Sequence, residues 1–252
     1  NTDLSAYDAV ISENHGVFTF DDDAFRSYEK MILVVDEAEA WLRNNYGRAE
    51  FTQTDAGDPV GVAAARKGVS DLAGGAVISR KSKSIPGSNV QRYGALLRKG
   101  TLTPEHVIHN KPYPAMLGDD PESGLAAFRS EYVGYFGRAE DADLTMLAPF
   151  PHWALFEDGR CRSFGPNLKR ASVSADVADT TLEAMYYADQ IGDWQGLGEQ
   201  DLRDLEYWEL EQAKLKRQKP ASELTGKIAV VSGAAAGIGQ ACAEVLFEKG
   251  AV

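Results

Sequence analysis

At 252 residues, with 44% hydrophobic and 25% charged residues, the chain has the composition of an ordinary globular protein and the length for one large domain or two smaller ones. A formal net charge of −12 argues against nucleic acid and anionic membrane surfaces as partners and in favour of small molecules, and no apolar tract is long enough to span a bilayer. Cys161 and Cys242 lie far apart without a CxxC pair, and the residues from Asn1 do not read as a signal peptide, so a reducing cytoplasm is expected unless a targeting segment belongs to chain outside these residues. The chain opens without Met and stops at Val252 inside what reads as a second strand, so it is expected to be a piece of something longer.

Residues 7 to 20, YDAVISENHGVFTF, hold two β-prone runs, Ala9-Val10-Ile11 and Val17 to Phe20, around the polar Glu13-Asn14-His15-Gly16, which predicts a strand, a short interruption and a second strand or turn. After Asp21-Asp22-Asp23, the apolar residues Phe25, Tyr28, Ile32, Val35, Ala38 and Trp41-Leu42 recur at three- and four-residue steps, the period of an amphipathic helix capped by Asp. One hairpin and one helix cannot bury that face alone, and its partner sheet is expected elsewhere.

A polar stretch from Asn44 to Pro59 leads to a helical pattern at Val60 to Leu72 and a short strand, Ala76-Val77-Ile78. Ser88 is the expected cap of a helix through Leu97, closed by Lys99-Gly100, and Thr103-Pro104-Glu105 opens one more helical turn. A helix over Ser123 to Phe136, a strand over Leu144 to Ala148, and a hairpin joining Trp153–Phe156 to Cys161–Phe164 through Asp158-Gly159 follow. Two long helices, Ser174 to Ile191 and Glu199 to Gln218, close this part, and the alternation of short strands with helices predicts α/β layering over residues 60 to 218. The basic, Pro-broken stretch Lys214 to Ser222 reads as a helix end and linker.

Near the carboxyl end, Lys227 to Val231 is an apolar run followed by Gly233, Gly237 and Gly239 ahead of a helix over Gln240 to Lys249. Glycines so placed permit a tight turn and let the backbone approach a pyrophosphate at the positive end of the helix. The bland alternative is a βα turn whose small residues merely allow close packing. Ser232-Gly233-Ala234-Ala235-Ala236-Gly237-Ile238-Gly239 resembles the T-G-x-x-x-G-I-G fingerprint of short-chain dehydrogenases/reductases, with Ser keeping the hydroxyl of Thr. The resemblance covers about thirty residues and implies an NAD or NADP site built on Ser232, Gly233, Gly237, Ile238 and Gly239. No Tyr in the chain has Lys four residues later, so the family's Tyr-x-x-x-Lys pair is missing, and no catalytic residue is assigned.

His15 is the second candidate. One histidine at a strand end is by default a hydrogen-bonded structural residue, since a zinc site needs three or four ligands. His106 and His109 are one turn apart, but neither they nor His152 form an HxxxH or HExxH motif. NHGVFTFDDDAFRSYEKMILVVDEAEAWL, Asn14 to Leu42, resembles the closing segment of the class II aldolase/adducin fold. That likeness implies His15 as the third histidine on a catalytic zinc, with the Ala38-Glu39 pair on the next helix. The family's upstream H-x-H pair does not occur in this chain.

Two further strings, GTLTPEHVIHNKPYP (Gly100 to Pro114) and EYWELEQAK (Glu206 to Lys214), stand in this order ahead of the dehydrogenase-like start. By periodicity the second is a packed helix with a solvated charged face. Together they resemble the bifunctional rhamnulose-1-phosphate aldolase/alcohol dehydrogenase group over essentially the whole chain. The group commonly has Arg-Thr-Lys-Pro where this chain has His109-Asn110-Lys111-Pro112, which leaves Lys111 as a candidate anion contact, the alternative being an ordinary surface lysine. The implied organisation is the end of a class II aldolase/adducin core over residues 1–50, an α/β extension over 51–220, and the start of a Rossmann-type short-chain dehydrogenase over 221–252. The implied activity is zinc-dependent cleavage of rhamnulose 1-phosphate to dihydroxyacetone phosphate and lactaldehyde, coupled to NAD(P)-dependent oxidoreduction of the aldehyde. A cytoplasmic homo-oligomer is expected. The alternative is a dehydrogenase whose adducin-like part only binds or assembles. The short dehydrogenase-like segment alone is expected to bind NAD poorly.

Overall fold

The computed structural model describes residues 7–51, 58–86, 89–139, 144–210, 213 and 221–252. β1 (Ala9–Ser12) and β2 (Gly16–Thr19) pair antiparallel, Ala9 opposite Thr19 and Ser12 opposite Gly16. Asn14 makes the turn at φ +52°, in the left-handed region that asparagine tolerates better than most residues. Helix α1 (Ala24–Tyr46) starts at the expected cap, the Asp23 carboxylate accepting from the N–H groups of Phe25 and Arg26 at 2.8 and 3.2 Å. None of its residues is buried.

A second sheet forms the centre, with β3 (Ile78–Lys81), β4 (Ala115–Leu117), β5 (Trp153–Phe156) and β6 (Cys161–Gly165) in the order β3-β6-β5-β4. β6 is antiparallel to both β3 and β5, and β5 is parallel to β4. The Asp158-Gly159 turn closes the expected hairpin, with Gly159 at φ +87° and the Asp158 carboxylate accepting from Arg160 N–H at 3.0 Å. Every residue of β5 is buried, and its side chains alternate between two apolar clusters. Ala154 and Phe156 join residues of α2 (Pro59–Ala73) and α5 (Pro121–Gly137), while Trp153 and Leu155 join α3 (Val90–Leu97) and α6 (Leu168–Ile191). Helices thus cover both faces of a mixed sheet, which is why the strand reads WALF without polar alternation. The α/β class expected from sequence is the class observed. The hydroxyls of Tyr186 and Tyr187 on α6 donate to the carbonyls of Tyr46 and Gly47 at 3.2 and 3.3 Å, tethering the end of α1 to this layer.

Several expected boundaries move. Ser70 Oγ accepts from Val77 N–H at 3.2 Å and Arg66 Nε donates to Val77 O at 2.7 Å, so the strand expected from Ala76 begins at Ile78. Residues 144–148 are not a strand: Leu147 N–H donates to the Tyr207 hydroxyl at 3.4 Å instead of to a ladder. The cap of α3 is Asn89, and Ser88 lies outside the described residues. Thr103 precedes α4 (Pro104–Asn110), but its hydroxyl engages His106 Nδ1 at 2.6 Å in place of a backbone N–H. The helix expected from Glu199 to Gln218 breaks after α7 (Glu199–Glu206). Glu206 and Tyr207 both turn inward, while Trp208, expected on the packed face, is 54% exposed.

The C-terminal segment begins against the α2–β3 connection. Arg66 Nη2 donates to Gly226 O at 3.1 Å, and Gly226, at φ +76°, lies so close to Ala76 that a Cβ would sit 2.0 Å from its carbonyl oxygen. After the glycine turn, helix α8 (Gly237–Glu248) returns the chain alongside its start. Ala229 N–H donates to Val252 O, and Val252 N–H to Lys227 O, both at 2.9 Å, the first rung of a parallel pairing. Among the described residues no helix is long and apolar enough to cross a membrane.

Candidate functional site

The densest polar chemistry is built where α4 ends. Lys111 caps that helix at φ +65°, ψ 173°, a region nearly reserved for glycine, where another residue costs roughly 1–3 kcal/mol. The conformation sends its side chain into the interior: Lys111 and Glu206 are 2% and 1% exposed, with Nζ 2.9 Å from Oε1. Lys111 Nζ also donates to Tyr132 Oη at 2.6 Å, and Tyr132 O–H donates to Glu206 Oε1 at 2.8 Å. Tyr132 thereby spends its one proton on the carboxylate. The 2.7 Å contact between the two phenols must then be donated by Tyr207, whose oxygen accepts from Leu147. Burial pushes the Lys111 ammonium below its ordinary value, and the Glu206 charge opposes that shift. Burial, followed by the same carboxylate, holds Tyr132 far above the usual phenol range, so it remains a donor.

A cavity of about 370 Å³ opens beside this cluster, bounded by the α2–β3 connection, the end of α4, residues 147–150 and the start of α6, with Lys111, Glu206, His109, His152 and Arg170 among apolar neighbours. His152 Nδ1 lies 2.6 Å from His109 O. A carbonyl oxygen can only accept, so Nδ1 carries the ring proton and Nε2 keeps its lone pair. Burial first, then the Lys111 charge, push His152 down to about 3, so the neutral ring is the working form. Asn110 Nδ2 donates to Ser174 O on α6 at 3.1 Å, and the Ser174 hydroxyl has one proton for the two acceptors beside it, Asn110 Oδ1 (2.7 Å) and His152 O (2.9 Å), which fastens α4 to this corner. A larger groove, about 810 Å³, runs between α2 and α5. Its Lys67–Asp71 pair (2.6 Å) is 76% and 65% exposed, which marks a solvated surface.

The residues singled out from sequence fall in two other places. His15 sits exposed in the β1–β2 turn, its ring stacked on Phe18 at 5.7 Å. Among the described residues no three His, Cys, Asp or Glu side chains gather to hold a metal, so these residues do not by themselves complete a zinc site around His15. Ser232, Gly233, Gly237, Ile238 and Gly239 form the turn into α8. Gly233 and Gly237 adopt φ +67° and +58°. Gly239 has a different role: a Cβ there would lie 2.3 Å from Gly233 O, so only glycine lets the helix seat on the turn. The N-cap Ala236 offers no side-chain acceptor, which leaves the first N–H groups of α8 unfilled by side chains and suited to an anion. Ile238 is 86% exposed.

Lys111, a candidate anion contact or surface lysine by sequence, is buried and paired with Glu206, and neither its partners Glu206, Tyr132 and Tyr207 nor the cavity residues His152 and Arg170 are expected from the sequence. One signal was there to use. Leu125, Phe128, Tyr132 and Tyr135 are the buried residues of α5, at steps of three and four, and a tyrosine on such a stripe needs an interior partner for its hydroxyl.

A profile of the family described as Aldolase class II, second domain, matches residues 62–215. The chain is 26% identical over 268 residues to the uncharacterized oxidoreductase YuxG of Bacillus subtilis (strain 168), an alignment covering 96% of this chain and 39% of that protein; the chain thus spans about two fifths of that relative's length. No solved structure matches. The matched residues take in the central sheet, its covering helices and the Lys111 cluster, more than half of the 252 residues, and the chain belongs to the family described as Aldolase class II, second domain.

Proposed function

We propose that this chain is part of a bifunctional enzyme that cleaves a ketose 1-phosphate by an aldol reaction and exchanges hydride between the released aldehyde and NAD or NADP. The observation that carries the reading is the succession within one chain: an aldolase-family α/β region runs directly into a turn whose third glycine cannot be replaced without a clash. A relative named as an oxidoreductase aligns across both parts. On this reading residues 1–50 end the aldolase core, 51–220 extend it, and 221–252 begin the dehydrogenase, in a cytoplasmic homo-oligomer. The substrate assigned is rhamnulose 1-phosphate, which on breaking C3–C4 gives dihydroxyacetone phosphate and lactaldehyde. The proton leaves the C4 hydroxyl, and the bonding electron pair stays on the dihydroxyacetone phosphate carbon until it is protonated.

His15 would be one imidazole ligand of a zinc ion that supplies Lewis-acid assistance; the described residues do not provide the others. The nucleotide pyrophosphate would rest on the turn from Ser232 to Gly239 at the start of α8. Metal analysis of the full-length protein, with assays of aldehyde release from rhamnulose 1-phosphate and of NAD(P)H formation, tests the proposal. Stoichiometric zinc with both activities is expected. A metal-free protein that turns over aldehydes but releases none from the sugar phosphate would instead support a binding or assembly role for the aldolase-like part.

A further inference from the structure

We propose that the cavity beside Lys111 is a ligand site in its own right, taking a small hydroxylated anion, a phosphorylated or carboxylated polyol, with Arg170 as the anion contact and His152 Nε2 as the acceptor of a ligand hydroxyl. It is distinct from both His15 and the glycine turn. Neither of these is among the residues that line it.

Three observations carry the assignment. The first is the fixed tautomer of His152: with Nδ1 committed to His109 O at 2.6 Å, the remaining nitrogen is an acceptor, and an apolar compound or an anion without an O–H, such as sulfate, gives it nothing to accept. The second is the charge around the cavity. Lys111 and Glu206 neutralise one another at 2.9 Å, whereas the Arg170 guanidinium, which also lines the cavity, has no hydrogen-bonding or ion-pair partner among the described residues. The balance favours an anion, and Arg is suited to bind phosphate or carboxylate bidentately. The third is the backbone of Lys111. Its near-glycine-only conformation persists only where the surroundings over-determine it, and such strain concentrates at ligand sites. The cavity volume of about 370 Å³ falls at the small end of the range for ligand pockets, and Phe150, Phe164 and Ile108 give the carbon chain an apolar wall.

Calorimetry on the intact protein with glycerol 3-phosphate, glycerate, sulfate and glycerol tests the proposal and separates phosphate from carboxylate ligands. Glycerol 3-phosphate or glycerate should bind at least 10-fold more tightly than sulfate and than glycerol. Arg170→Gln, at an exposed position where folding should be unaffected, should weaken the preferred ligand 10-fold or more. His152→Asn keeps an N–H to offer His109 O but loses the Nε2 lone pair, so it should weaken the hydroxylated anions and leave sulfate unchanged. His15→Ala should abolish aldehyde release while sparing this binding, so the site can fail without the aldolase reading failing, and the reverse. No saturable binding of either hydroxylated anion at 10 mM, on the order of the weakest useful affinities, would overturn the proposal, as would binding lost with His15→Ala or untouched by Arg170→Gln.

Discussion

The middle of the molecule and its two flanks use the same amphipathic vocabulary with opposite results. On α6, Leu182 and Met185 are wholly buried against Leu155 and Trp194. On α1, with an equally regular apolar stripe, Phe25 is 72% exposed, and in the C-terminal segment Val230 is 95% exposed. Periodicity states which face of a helix is meant to be covered, and only the contacts made determine whether it is. The middle finds its cover within the chain, on both sides of β5. Among the described residues the flanks are joined to it at edges, by the Tyr186 and Tyr187 hydroxyls at one end and by the approach of Gly226 to Arg66 and Ala76 at the other.

The sharpest way to break this contrast is to strike the polar centre of the middle region. Lys111→Met strands the Glu206 carboxylate, 1% exposed, in the interior, and Glu206→Met strands the ammonium; loss of one partner of a buried pair costs about 3–5 kcal/mol. The double variant should be far less destabilised than the sum of the two, because no charge is then left uncompensated. Urea unfolding of the three variants measures this. Additive losses would show that the two side chains do not act as a pair.

Acid should act on the same region. His152 titrates near 3 in the folded protein and at about 6.5 when unfolded, so between these values the unfolded state binds the extra proton and stability rises with pH. The stabilisation is complete above about pH 6.5 and is lost as pH falls toward 3, by up to about 1.4 kcal/mol per pH unit. Burial depresses His106 as well, so it adds in the same direction. Unfolding free energies from denaturant titrations at pH 7 and pH 5 should therefore differ by up to about 2 kcal/mol from His152 alone, and His152→Asn should flatten the profile by that amount. An unchanged slope in the variant would remove His152 from the acid-labile set.

How much of this was legible follows from the kind of signal each element carries. Asp23 before α1, the Asp158-Gly159 hairpin and the span of α2 are local in origin, set by a cap, a turn or a period within one short window, and they were read close to where they lie. Val77 was misread because Ser70 and Arg66, side chains on another element, take its backbone groups. The 144–148 stretch was misread because its partner is the hydroxyl of a residue sixty positions away. The glycine turn was legible as a motif, and the structure separates its members: Gly233 and Gly237 are needed for their φ angles, Gly239 for space. The Lys111 cluster was mostly hidden, since a Lys, a Glu and two Tyr from two helices and two helix caps carry no common spacing. Glu206 in particular sits in a run of alternating charges that looks solvated.

The smallest expected effect tests the flanks. If the α1 face is as open in solution as in this chain, Phe25→Ala removes a ring that contributes little burial, and the change in stability should stay within about 0.5 kcal/mol, as for ordinary surface positions. Leu182→Ala, a substitution of the same kind in the middle region, should cost about 2–5 kcal/mol. Thermal unfolding of the pair in the full-length protein reads the ratio directly. A loss of about 2 kcal/mol or more from Phe25→Ala, the range of a buried side chain, would mean that α1 is covered there by surface these residues do not include. The contrast between middle and flanks would then belong to this stretch of chain and not to the working protein. A loss near zero would instead make the uncovered stripe a property the protein carries into solution.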